Sequence, residues 1–138
     1  MAGKRLQRPT DNEGRRITAH PAAGASSQHL RPKFSLEYLD KTFCLSACTR
    51  DEKAAFADRL HQLSQLTWQD IAGAGRHGQG CETITRSAIS APIPACITDE
   101  VRIIAFRCIG KAPMVGYRVD EVFFVVWIDR GFSLYNHG

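Results

Sequence analysis

The sequence predicts a small α+β domain: a mainly antiparallel sheet with two N-terminal helices packed on one face. Three observations predict it. A strand pattern opens at Lys33, two helix patterns with capping signals follow, and three or four strand patterns then run consecutively toward the C-terminus. Consecutive hairpins make neighbouring strands antiparallel, and helices gathered in one stretch of chain must cover one sheet face.

Lys33–Asp40 alternates Phe34, Leu36 and Tyr38 with polar positions, as a half-buried strand does, with its main break at Leu39. Thr49-Arg-Asp-Glu52 is a capping box. Behind it Phe56, Leu60 and Leu63 fall at i, i+4 and i+7, one apolar stripe on a helix from about Arg50 to Gln65. Thr67-Trp-Gln-Asp70 repeats the capping pattern for a short helix that Gly73 and Gly75 stop. Arg76–Gly80 reads as a loop, Thr83–Ile89 carries a weak strand pattern, and Pro92 and Pro94 break the chain. Val101–Ile109 is apolar on both faces and so internal to a sheet. Gly110–Pro113 turns into a strand at Met114–Val119, and Val119-Asp-Glu-Val122 is a tight connection into the strongest strand, ending at Ile128-Asp129. A short segment, Phe132–Tyr135, closes the pattern.

Length and composition bound what such a domain can be. The chain has 138 residues and is 43% hydrophobic, which suits one core and excludes wholesale disorder. No apolar run approaches the roughly 20 residues of a membrane-spanning helix. The basic N-terminus lacks the apolar segment of a secretory signal, so a cytoplasmic protein without membrane partners is expected. Five cysteines, an odd number without an export signal, are expected as free thiols.

The formal charge of +4 is unevenly spread. Residues 1–32 hold six cations (Lys4, Arg5, Arg8, Arg15, Arg16, Arg31) and two anions (Asp11, Glu13), whereas residues 33–138 carry twelve of each. Residues 1–32 lack periodicity and read as a flexible basic arm, either a contact for nucleic-acid phosphates or a solvated tail. The single domain is assigned to 33–138. Because it is formally neutral, it must hold any phosphate through a few placed cations.

Three constellations carry candidate chemistry. Arg107 and Arg118 lie within apolar strand patterns, where a cation needs an ion pair, a solvent-facing position or a bound anion. Convergence of the two on a phosphate is the functional reading; pairing with Asp120, Glu121 or Asp129 is the structural one. Tyr135 and His137 follow the last strong strand: His137 titrates near neutrality and suits acid–base work, and Tyr135 suits hydrogen bonding or stacking on a base, unless this end simply frays. Cys44 and Cys48, with His77 and Cys81, have the layout of a structural Cys3His zinc site, although small apolar neighbours suit buried thiols equally.

The order strand, two helices, antiparallel strands, with Phe106-Arg107, Gly116-Tyr117-Arg118 and then Tyr135, resembles the RelE/ParE-like toxins, including their MqsR-type relatives. The resemblance covers residues 33–138 as element order and strand motifs. It implies a RelE-like fold and metal-independent cleavage of mRNA, often on the ribosome, restrained by an antitoxin partner, with no cofactor. Carried onto these positions, Arg107 and Arg118 stabilise the phosphate, Tyr135 orients the substrate and His137 is the acid–base residue. The neutral domain, the longer Cys108–Val115 stretch and the basic arm depart from the family pattern. ParE-like members share the scaffold without cleaving RNA, so fold alone does not fix activity. The alternative is a non-catalytic module that binds a protein or nucleic acid, with or without structural zinc.

Overall fold

The computed structural model describes residues 26–74 and 81–136. The calls at His77 and His137, and on residues 1–25 of the arm, lie outside them. The strands are β1 (Lys33–Ser35), β2 (Cys81–Ile84), β3 (Ile103–Ile109), β4 (Ala112–Val119) and β5 (Val122–Ile128), with helices α1 (Arg50–Ser64) and α2 (Trp68–Ala74) between β1 and β2. They form one mixed sheet in the order β1-β5-β4-β3-β2. β2 through β5 are antiparallel, whereas β1 runs parallel to β5. The domain is therefore α+β, with its first and last strands side by side.

Both helices start where side-chain chemistry satisfies the orphan amides of a first turn. Thr49 Oγ1 accepts from the Glu52 amide at 3.1 Å, and Glu52 Oε1 accepts from the Thr49 amide at 2.8 Å. Thr67 and Asp70 reciprocate in the same way, at 3.1 and 3.0 Å. The α1 stripe of Phe56 and Leu63, with Trp68 and Ile71 of α2, packs on Phe106, Met114, Phe123 and Val125 of the sheet. At its centre Phe106 and Phe123 meet edge-to-face, with centroids 5.1 Å apart.

The opposite face is also covered. Ile103, Ala105, Val115, Tyr117, Val126 and Trp127 form a second cluster with Ile84, Ile97, Leu134 and Tyr135. Val126 and Trp127 are neighbours in sequence yet share this face because a register shift between Val115 and Gly116 inserts an extra residue in β5. Asp129 holds the closing turn: fully buried, its Oδ1 and Oδ2 accept from the Ser133 and Leu134 amides at 2.8 and 3.0 Å. Ser90 then ties the 85–101 segment to this turn, its amide donating to the Leu134 carbonyl at 2.8 Å.

Several boundaries differ from the sequence reading. The opening strand ends at Ser35 rather than Asp40, because the chain turns at Glu37–Tyr38 before Asp40 donates to the Val126 carbonyl. β4 begins at Ala112 and so contains Pro113, expected in the preceding turn. Pro113 is tolerated there with its carbonyl accepting from the Asp129 amide at 2.9 Å. The Thr83–Ile89 pattern divides into β2 and a 3-10 turn at Arg86–Ala88, and Phe132–Tyr135 forms a turn.

Residues 26–32, expected as the end of a flexible arm, are stitched to the domain. The Gln28 and Leu30 carbonyls accept from the Gln69 and Trp68 amides at 2.9 and 3.0 Å, serving the first turn of α2. Pro32 is buried.

Candidate functional site

Among the described residues, the structure does not bring Arg107, Arg118 and Tyr135 together. Arg107 lies opposite Pro113 in the β3–β4 ladder. Arg118 is five residues further along β4, about 17 Å of extended backbone away. Arg118 serves the fold. Its guanidinium lies 4.2 Å from the Trp68 ring centroid and donates to Ser27 Oγ at 2.7 Å, to Gln28 Oε1 and to the Asp120 carbonyl. The ion pairs suggested by sequence are replaced by neutral acceptors and an aromatic face, and burial lowers the Arg118 pKa. Trp68 is fixed in turn, its indole N–H donating to the Glu121 carbonyl at 3.1 Å.

Tyr135 is 8% exposed and packs with Trp127 and Leu134 in the cluster opposite the helices, so its ring is core rather than a stacking surface. All five cysteines are free thiols. Among the described residues no group of three or more His, Cys, Asp or Glu side chains could hold a metal ion, so Cys44, Cys48 and Cys81 do not assemble the zinc layout without His77. Cys48 and Cys108 sit in the helix-side core, where burial raises both thiols, Cys108 to about 12. Cys44 is shifted the other way, because hydrogen bonds from Ser46 favour its thiolate.

Arg107 is exposed and lies beside a second arginine that the sequence reading missed. The described β2–β3 ladder ends at Cys81 and Phe106, and one residue further on the Arg107 carbonyl accepts from Arg59 Nε at 2.7 Å. Arg59 also approaches Gln62 Oε1, at 3.5 Å. A register shift between Arg107 and Ile109 redirects the end of β3 here. The result is an open pocket of about 410 Å³ between α1 and the β3–β4 turn, lined by Ala55, Asp58, Arg59, Gln62, Arg107, Cys108 and Gly110. The four α1 residues recur at i, i+3, i+4 and i+7, one helical face adjoining the apolar stripe. Burial lowers the Arg59 pKa without bringing an arginine near neutrality, so the pocket keeps its positive charge.

Arg59 was legible only as one more charge on a helix. Spacing shows that it shares a face with Gln62 and Ala55, but not that this face meets the end of β3. Comparisons with protein-family models, with curated proteins and with solved structures find no match for this chain. Among the described residues no helix is long and apolar enough to cross a membrane.

Proposed function

We propose that this chain is a RelE-like toxin that cleaves mRNA without a metal and is held in check by an antitoxin partner. The supporting observation is architectural. A first strand, two helices on one sheet face and three final antiparallel strands occur in the order on which the resemblance rests, with the first strand beside the last. Exposed Arg107 is the family-motif cation that stays available to a phosphate.

The chemistry required is defined. A ribose 2′-hydroxyl attacks the adjacent phosphorus as a base removes its proton, and the leaving 5′-oxygen receives a proton. Cations must offset the charge of the phosphorane-like transition state. Arg107 supplies that charge in this reading, and His137 is the acid–base candidate. Arg118 and Tyr135 leave the catalytic set and act through the fold.

A second reading is favoured by that same loss. With Arg118 tied into a half-buried structural network and Tyr135 in the core, the domain is a binding module that contacts RNA or a protein partner without cutting. RNA incubated with the purified chain in excess chelator separates the two. Shortened RNA, with loss of activity in Arg107→Ala, supports the ribonuclease; bound but intact RNA supports the module.

A further inference from the structure

We propose that the open pocket between α1 and the end of β3 is a binding site for one phosphate group of a single-stranded polynucleotide, held by Arg59 and Arg107. The inference rests on the RNA-directed reading above, but adds to Arg107 a second cation, Arg59 on α1, that no sequence motif marks.

Four observations carry it. First, two arginines line one pocket of about 410 Å³, a size suited to a hydrated phosphate with part of its sugar. Second, Arg59 is pre-positioned. Its Nε is fixed on the Arg107 carbonyl at 2.7 Å, so little side-chain freedom remains to be lost on binding. Third, the lining is polar. Asp58, Arg59, Gln62 and Arg107 outnumber the small or apolar Ala55, Cys108 and Gly110, and none of these offers the apolar anchor cavity that a protein side chain fills. Fourth, residues 33–138 are formally neutral, so placed cations must supply local affinity that a basic field would otherwise give.

Asp58 is the one carboxylate in the lining and opposes an anion, which gives the proposal a signature of sign. Removing Arg107 must weaken binding, and removing the Asp58 charge must strengthen it. A protein partner with basic contacts would respond in the reverse sense.

The test is fluorescence anisotropy with a labelled 2′-O-methyl RNA octamer, which keeps the phosphates but cannot be cleaved through its 2′-oxygen. Arg107→Ala is expected to weaken binding by about tenfold and to reduce the slope of log K against log salt by about 0.7. Arg59→Gln should weaken it comparably, and Asp58→Asn should tighten it about twofold. Circular dichroism checks that each variant is folded, and Arg107→Ala, at an exposed position, keeps the test decisive if Arg59→Gln is not. Octamer affinity and salt slope unchanged in Arg107→Ala overturn the proposal. So does Arg107-dependent binding of an acidic peptide in place of the octamer, which assigns the pocket to a protein. Arg107-dependent octamer binding with natural RNA left intact keeps the site and removes the ribonuclease reading. RNA cleavage that is lost in Arg107→Ala while octamer affinity stays unchanged does the opposite.

Discussion

Replacing Arg118 by methionine removes the guanidinium but keeps an unbranched stem over Trp68, isolating what the charge contributes. Three hydrogen bonds are lost, to Ser27, Gln28 and Asp120, together with the cation–π contact at 4.2 Å. A hydrogen bond from a charged donor contributes about 1.5–3 kcal/mol and a cation–π contact about 0.5–2. The side chain retains partial solvent contact and its acceptors can rehydrate, so a total of about 2–3 kcal/mol is expected. In a domain of this size that lowers the melting temperature by roughly 8–12 °C. Urea denaturation followed by far-ultraviolet circular dichroism measures it directly. Combining Arg118→Met with Ser27→Ala and Gln28→Ala should add little, because all three act through one network. RNA cleavage by the folded variant should stay near wild type. Stability within about 0.5 kcal/mol of wild type, with cleavage abolished, would refute the structural role and return Arg118 to the catalytic set.

Other consequences are as direct. A Cβ at Gly116 would lie 1.8 Å from the Phe124 carbonyl oxygen and 2.9 Å from its carbon, so Gly116→Ala must displace backbone at the β4–β5 register shift. A loss above about 3 kcal/mol, or failure to fold, is expected in thermal melts. Asp129→Ala strips the buried Leu134 and half-buried Ser133 amide hydrogen bonds of their acceptor and should cost about 2–4 kcal/mol in urea titration. Cys108 is raised from 9.0 to about 12 by burial. The unfolded chain therefore ionises this thiol first, and its contribution, full below pH 9, is lost as pH rises from about 9 toward 12, by up to about 1.4 kcal/mol per unit. Cys108→Ala should flatten that alkaline decline. Glu52 is held below its usual range chiefly by the Arg130 hydrogen bond at 2.8 Å, with the Thr49 amide adding to it. Its contribution is present above the ordinary carboxylate pKa and lost as pH falls, so Glu52→Gln should reduce the acid sensitivity of melting.

What the sequence displayed was what depends on neighbours along the chain. The capping boxes at Thr49 and Thr67 are local, so both helix starts were readable, and the two-faced apolar pattern of β3 identified an internal strand. The parallel docking of β1 on β5 joins residues nearly ninety positions apart, and a three-residue strand carries no periodicity that could announce it. Pro113 looked like a turn residue because its strand position depends on a distant partner, the Asp129 amide that donates to its carbonyl. The site was half legible. Apolar surroundings singled out Arg107 and Arg118 as unusual, but which of them would find acceptors depended on Ser27 and Gln28 folding back from a stretch that composition presented as a tail. Arg59 gave no signal of its own, since its role arises where one helix face happens to meet the end of β3.

The central claim is that this domain directs chemistry at RNA. It is tested most directly by incubating the full chain with a defined mRNA in excess chelator, with and without ribosomes, and identifying the ends produced. Attack by a 2′-hydroxyl predicts new 5′-hydroxyl ends paired with 2′,3′-cyclic phosphates, and much slower cutting by Arg107→Ala. RNA that stays intact under both conditions, or is cut to 5′-phosphate ends only when a divalent metal is restored, would contradict it.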